Sequence, residues 1–383
     1  MTENKFHIII ATEVYPPDIA GPATFIKRIT PELNEAGFKV TTLTYADQAS
    51  ESEELVKVSR QTSLINKYLA YFFKLKKLAD KADLIFAQGP LASGLPAVLV
   101  KKLTGKKVIM KIVGDVVWER ARNNNLTGQT IDEFQKAKHN FKVELQKKIR
   151  NWLIRQVDLA VVPSNYFKGL ALGWGLKEDK IRVIYNSFES HRLDISKAEA
   201  KQKLNLNGEV MLSVGRLTSW KGFDILIDLM PVLLMKKPDL KLVICGSGPQ
   251  EEKLKAKIKD LKLEDKVIMA GQVNQSEIKY YYRAADLFIL NSAYEGLSHT
   301  LLEALSYGLP CLASRIGGNP EVIEDKRNGL LFEYNNQQEI LNCLTYFWQD
   351  NNLRFEFEKN SKQILQKFTF SEMTNHYIEV LKV

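Results

Sequence analysis

The stretch Tyr294-Glu295-Gly296-Leu297-Ser298-His299-Thr300-Leu301-Leu302-Glu303-Ala304 follows the apolar run 286–291 and leads into the helical run 300–307. The order is strand, glycine-bearing turn, helix. Where a strand ends and a helix begins, backbone N–H groups and the helix dipole converge, which favours an anion. Glu295 stands at the mouth of this turn, and Glu303 about two turns further in. The unit is a piece of a parallel α/β sheet, and the rest of the chain repeats its pattern.

Working outward, short apolar runs alternate with longer amphipathic ones. Strands are expected at 6–11, 39–43, 83–87, 107–113, 158–162 and 182–185, with helices at 23–36, 64–81, 93–103 and 133–155 between them. The series restarts with strands at 209–214, 241–245, 266–270, 286–290, 311–314 and 330–332, separated by helices at 223–235, 250–261, 276–284, 300–307 and 337–348. Strands apolar throughout and alternating with helices read as parallel sheets covered on both faces. Two series in 383 residues suggest two Rossmann-like domains. The polar segment 186–201 breaks both periodicities and marks the expected boundary. Ligands of open parallel sheets bind beyond the carboxyl ends of the strands, so a ligand is expected between the domains.

Composition narrows the class. A hydrophobic content of 45% with 26% charged residues is that of a globular protein, and no run reaches the ~20 apolar residues of a spanning helix. The N-terminus runs straight into a strand, so no secretion signal is expected. Cys245, Cys311 and Cys343 form no C-x-x-C pair and are expected as free thiols. The five histidines are scattered, and no metal site is expected.

Residues 1–187 hold 29 Lys+Arg against 19 Asp+Glu, and the remainder 25 against 26, so the first half carries the whole excess of the net charge of +9. Such asymmetry suits an anionic partner such as a membrane surface, a phosphorylated lipid or nucleic acid, or else a solvated basic surface. The helical segments 64–81 and 136–155 place aromatics beside lysines. They read either as headgroup-seated helices or as core-facing stripes with a wet basic face.

Val214-Gly215-Arg216-Leu217-Thr218-Ser219-Trp220-Lys221-Gly222 connects a strand to a helix, so Arg216 and Lys221 fall at the carboxyl edge of the second sheet. Together they could clamp a diphosphate and stabilise charge on a leaving nucleoside diphosphate. With the two glutamates, the set suits a diphosphate flanked by hydroxyls, the make-up of a nucleotide-sugar. Gly246-Ser247-Gly248-Pro249 is a weaker glycine turn. The loop from Glu13 to Ala23 carries Gly21 and Pro22 ahead of the first helix. After the strand ending near Val113, Asp115 is a candidate acceptor-side carboxylate with Lys111 as partner charge; helix capping or ion pairing is its alternative use.

The Glu295-x7-Glu303 motif, the G-R-x4-K-G clamp, the 246–249 turn and the Pro-Pro…Gly-Pro loop together resemble the family-4 retaining glycosyltransferases. The resemblance runs over essentially the whole chain. It implies an α/β GT-B fold, two Rossmann-like domains whose parallel sheets face a central cleft. Residues 1–187 would form the acceptor-binding domain, completed by 367–383 crossing back, and 188–366 the nucleotide-sugar domain. Arg216 and Lys221 would hold the diphosphate, and Glu295 the sugar hydroxyls. The backbone around Gly296, Leu297, Ser298, Thr300 and Leu301 would meet sugar and phosphate. Glu303 would accept from the ribose, Val273 would contact the base, and Gly21 would face the phosphates. Many relatives have a His-Asp pair where this chain reads Gly114-Asp115.

The implied activity is transfer of a hexosyl unit from a UDP- or GDP-sugar to a glycan or lipid-linked acceptor. It would serve cell-envelope or exopolysaccharide synthesis, with no metal and no cofactor beyond the co-substrate. The expected setting is cytoplasmic, with peripheral contact to an anionic inner membrane face and no nucleic-acid partner. Three other readings stay open: a glycoside hydrolase using Glu295 and Glu303, a nucleotide-sugar epimerase, and a non-catalytic partner of a glycosyltransferase complex.

Overall fold

Strands apolar at nearly every position need cover on both faces, and the chain supplies it twice. The computed structural model describes residues 5–18, 21–47, 52–188, 195–350 and 352–382. The expectations for Ile19 and Ala20, for the first four residues, and for 189–194 with His191 lie outside them.

The first series is β1 (His7–Ala11), α1 (Gly21–Glu35), β2 (Lys39–Tyr45), β3 (Leu55–Val58), α2 (Leu64–Ala79), β4 (Leu84–Gln88), α3 (Gly94–Thr104) and β5 (Lys107–Lys111). It continues with α4 (Val116–Asn123), α5 (Ile131–Lys136), α6 (Phe141–Arg155), β6 (Leu159–Val162), α7 (Asn165–Gly173) and β7 (Ile181–Val183). These strands form one sheet in the order β3-β2-β1-β4-β5-β6-β7, parallel throughout, with Ile9 between Thr41 and Ile85.

The second series is α8 (Lys197–Lys203), β8 (Val210–Val214), α9 (Phe223–Lys236), β9 (Lys241–Cys245), α10 (Glu251–Asp260), β10 (Val267–Gly271), α11 (Gln275–Ala284) and β11 (Leu287–Leu290). Then follow α12 (His299–Ser306), β12 (Cys311–Ser314), α13 (Asn319–Val322), β13 (Gly329–Phe332), α14 (Gln337–Gln349), α15 (Asn352–Leu365) and α16 (Phe370–Leu381). The second sheet runs β10-β9-β8-β11-β12-β13, again parallel. Neighbouring residues feed opposite cores: Leu212 packs with Phe288 and Leu301 on one face, Met211 with Ile227 and Ile244 on the other.

The chain divides into two compact units. One holds the described residues up to Thr127, Lys136–Ile184 and those from Ser371; the other holds Gly128–Gln135 and the described part of Tyr185–Phe370. The last helix packs in the first unit, with the Tyr377 ring 5.0 Å from Phe25 and 5.7 Å from Phe86.

Several expectations need correction. β5 ends at Lys111, because Asp115 already caps α4. The single helix expected at 133–155 is two, α5 and α6. Asn140 starts the second by accepting from the Val143 N–H at 3.0 Å, and a capping Asn favours a fresh helix start over continuation. The polar segment 186–201 contains the start of α8, set by a capping box between Ser196 and Glu199. The edge strand β3 and the helices α4, α7, α13 and α15 are additional. In α6 the stripe of Phe141, Leu145, Ile149 and Trp152 is exposed beside Lys148 and Arg155, while Lys147 and Arg150 are buried with Val143, Leu153 and Ile154, so that stripe does not face the core. Among the described residues no helix is long and apolar enough to cross a membrane. The three thiols are free, and burial pushes Cys245 up to about 12.

Candidate functional site

In the second sheet β8 lies beside β11, and the chain order runs away from this pair in both directions. That is the switch point of an open α/β sheet, where the loops leaving the two strands part and leave room for a ligand. Arg216 and Lys221 lie on the connection after β8, and Glu295 on the connection after β11. The position of the site thus follows from strand order alone.

The two connections are tied together. The Ala293 N–H donates to the Trp220 carbonyl at 2.7 Å, and Asn291 Nδ2 donates to the Gly222 carbonyl at 3.1 Å. The Lys221 ammonium sits 2.5 Å from Glu295 Oε1, with both side chains mostly enclosed. Arg216 is exposed, and its guanidinium makes no hydrogen bond or ion pair with the described residues. A carboxylate is therefore held by one cation while a second cation stands ready nearby in the same loop.

Ser298 caps α12, its hydroxyl accepting from the Leu301 N–H at 3.3 Å and lying 3.1 Å from Thr300 Oγ1. The first turn of a helix presents N–H groups without intrahelical acceptors, so this end favours an anion beside Lys221. The Leu297 carbonyl accepts from Asn186 Nδ2 at 3.2 Å, and the Leu297 and Leu301 side chains are buried in the core. The loop is also backed from below. The Gly318 N–H donates to the Glu295 carbonyl at 2.9 Å, and a Cβ at Gly318 would lie 2.4 Å from the Gly296 oxygen.

Glu303 lies in the second turn of α12 and accepts from the Tyr282 hydroxyl at 2.8 Å. Burial first, and the Glu303 carboxylate second, hold that phenol protonated far above its usual range. Tyr282 stacks on Tyr307 at 5.3 Å, so Glu303 is positioned by an aromatic wall. Val273 follows β10 and is partly buried against the same core.

Gly21 and Asp115 belong to the first unit. Gly21 opens α1 and has open space where a side chain would stand. Asp115 takes the second of its two expected uses. It is wholly buried, accepts from the Val117 N–H at 3.0 Å and the Trp118 N–H at 3.4 Å, and pairs through its other oxygen with the buried Arg150. Lys111 is not its partner charge: its ammonium lies 3.2 Å from the Phe25 ring centroid and 5.5 Å from Tyr377. Burial draws the Lys111 amine down to about 7.

The sequence reading did not single out several groups at these edges. Tyr282 and the Gly317-Gly318 pair support the glutamates; the paired glycines just after β12 were the available signal. At the carboxyl edge of the first sheet, Glu13, Tyr68 and Arg120 form one electrostatic cluster. Solvent reaches Glu13, yet crowding by protein raises its carboxyl while Arg120 draws it back. Among the described residues, no three His, Cys, Asp or Glu side chains are grouped to hold a metal ion.

The family model described as "Glycosyltransferase Family 4" matches residues 19–192, and that described as "Glycosyl transferases group 1" matches residues 194–364. An uncharacterized glycosyltransferase of Haemophilus influenzae is 34% identical over 183 residues, 47% of this chain and 51% of its own length. The alpha-monoglucosyldiacylglycerol synthase of Streptococcus pneumoniae is 27% identical over 341 residues, 84% of this chain and 74% of its own. The chain spans about half the length of several curated relatives it matches. The Anabaena protein HepE, solved in complex with UDP-glucose, superposes with a TM-score of 0.79 at 20% identity, covering 98% of this chain and 99% of HepE, a likeness of fold. The two family models meet at the boundary between the two sheets and together take in nearly all of the sequence: the chain belongs to the glycosyltransferases of family 4 and group 1, with the GT-B fold.

Proposed function

We propose that this protein transfers a hexosyl unit from a nucleoside-diphosphate sugar, UDP- or GDP-linked, to a hydroxyl of a glycan or lipid-linked acceptor, with retention at the anomeric carbon. The observation that carries the reading is the grouping at the β8/β11 switch point. Arg216, the Lys221–Glu295 pair and the start of α12 stand on adjacent connections there. Cations and a helix start suit the diphosphate, and carboxylates suit hydroxyls on either side of it. The UDP-glucose in HepE and the glycolipid named for the Streptococcus pneumoniae synthase support the same donor and acceptor classes.

In the proposed reaction the bond between the anomeric carbon and the diphosphate oxygen breaks. A bond from that carbon to the acceptor oxygen forms on the same face. The acceptor's proton passes to the departing diphosphate oxygen. Arg216 and Lys221 stabilise the charge that builds on the leaving group, the role a metal takes in other transferases. Glu295 orients the sugar, and Glu303 the ribose. The protein contributes position and charge more than a strong base. Cell-envelope or exopolysaccharide synthesis is the setting this chemistry fits.

The test is a panel of UDP-, GDP- and ADP-sugars with mass detection of the released nucleotide and the product anomer. Arg216→Ala and Lys221→Ala are each expected to lower turnover by ~10²-fold or more, as does loss of one preorganised donor to developing charge. Arg216 has no partner to lose, so its variant should melt with the parent. Turnover should also withstand a chelator. Near-normal release by both variants, or an inverted product, would refute the reading.

A further inference from the structure

Ten of the eighteen exposed large apolar side chains among the described residues lie on three helices, α2, α3 and α6. The three are neighbours on one face of the first sheet, α2 against α3 and α3 against α6. On α2 the exposed set is Leu64, Ile65, Leu69 and Phe73, with Ile65 72% exposed. On α3 it is Leu99 and Leu103. On α6 it is Phe141, Leu145, Ile149 and Trp152, at helical spacings of four, four and three, with Phe141 83% exposed. Single exposed apolar residues are ordinary on a protein surface; a contiguous set across three helices is not.

The construction of α6 makes the point sharper. Its inner face carries Lys147 and Arg150 among Val143, Leu153 and Ile154, and the fold has to satisfy both cations. Lys147 donates to the Ala137 carbonyl at 3.1 Å, while Arg150 pairs with Asp115 and stacks 4.1 Å over Trp174. Burying two cations while leaving four large apolar residues in water is costly on both sides. The cost is offset if the outer face is covered by something apolar.

Charge says what covers it. The exposed ionisable residues of the three helices are Lys76, Lys77, Lys102, Lys142, Lys148 and Arg155, all cationic, and no exposed Asp or Glu lies within these helices. Lys102 lies 4.6 Å over the Trp152 ring, which places a cation directly beside an apolar side chain. A second copy would bring two positive faces together, so the pattern opposes self-pairing. Apolar side chains flanked by cations match a bilayer interface, with acyl chains for the first and lipid phosphates for the second.

We infer that the α2–α3–α6 face docks on an anionic lipid leaflet, with the apolar stripes in the acyl boundary and the flanking lysines among the phosphates. α2, α3 and α6 each begin on the carboxyl side of the first sheet, the side that carries Glu13, Tyr68 and Arg120. A lipid-borne acceptor in the same leaflet would arrive at that edge. This last step rests on the transferase reading; the docking itself does not.

Vesicle flotation tests it, using phosphatidylcholine vesicles and vesicles of equal parts phosphatidylcholine and phosphatidylglycerol. The parent should float with the mixed vesicles at about 0.05 M salt. It should bind at least ~10-fold more weakly to the neutral ones and release at about 0.5 M salt. The double variant Ile65→Ser with Phe141→Ser, and the triple variant Lys76→Glu, Lys102→Glu, Lys148→Glu, should each weaken binding ~10²-fold or more. Both should keep the parent's melting curve and UDP affinity. Lys253→Glu, on α10 of the other unit, should float as the parent does. Equal binding to neutral vesicles, no binding, or indifference to both variants would overturn the inference. So would a parent dimer in sedimentation that the variants convert to monomers, which would make a second copy the occupant. Because flotation does not read turnover, failure of the docking and failure of the transferase reading are separable.

Discussion

Replacing Gly318 by alanine adds one methyl group beneath the loop that carries Glu295. Its Cβ would stand 2.4 Å from the Gly296 carbonyl oxygen and 3.2 Å from the Leu297 Cα, both backbone atoms. Ordinary contact begins near 3.4 Å, so the loop or the glycine segment must retreat by about 1 Å. Gly318 has an ordinary negative φ of −82°, so the perturbation is a wedge and not a strained backbone. The loop is anchored at several points: the Gly318 N–H on the Glu295 carbonyl, Asn186 on the Leu297 carbonyl, and the Lys221–Glu295 pair. A shift of this size moves Glu295 and the start of α12 relative to Lys221. A misplacement of ~1 Å in a reacting geometry costs on the order of 10²-fold in rate, whereas overpacking costs ~1–3 kcal/mol of stability. Gly318→Ala should therefore remain folded at assay temperature and lose ~10²-fold in nucleotide release, with weaker UDP binding by calorimetry. Gly169→Ala is the control: it lies within α7 with open space at its Cβ and should leave release unchanged. A folded Gly318→Ala that turns over like the parent would show that the backing of this loop does not set the site.

Two further outcomes test the first unit. Asp115→Ala removes the carboxylate from the buried Arg150 and the cap from α4. It should lower unfolding free energy by ~3–5 kcal/mol in denaturant, and a stable variant that loses only turnover would restore an acceptor-side role to Asp115. Lys111 predicts a pH effect. Burial lowers its amine to about 7 in the folded chain while the unfolded amine keeps the ordinary ~10.4, so between these values the unfolded state binds the extra proton. Stability from this group must then rise as pH climbs from about 7 towards ~10, and Lys111→Met should remove that slope. Parallel slopes for parent and variant in denaturant titrations would show that the ring faces of Phe25 and Tyr377 keep the amine charged.

Most strands were legible because a parallel strand buried on both faces is apolar at nearly every successive position, and β1, β4 and β8 to β12 read that way. β3 was not: Leu55-Val-Lys-Val is four residues long, pairs only with β2 and carries a lysine, so it shows neither length nor pattern. The break between α5 and α6 was missed because helix formers continue through it and a single asparagine makes the cap. The Glu295 loop, its glycine and its helix start were readable, since each is a local signal. Lys221 and Glu295 were readable as residues of the right type on the right connections.

Their meeting was not. They are 74 positions apart, and only the adjacency of β8 and β11 brings the ammonium onto the carboxylate. The use of Asp115 likewise depended on Arg150, which lies 35 residues away on a helix whose buried and exposed faces no periodicity could assign. Amino-acid order by itself determined the element types, the double α/β series and the chemistry available at each strand end, because those follow from local pattern and backbone preference. Only tertiary structure decided which ends adjoin, which carboxylate is buried and which side of α6 faces water, because those depend on contacts between segments remote in the chain.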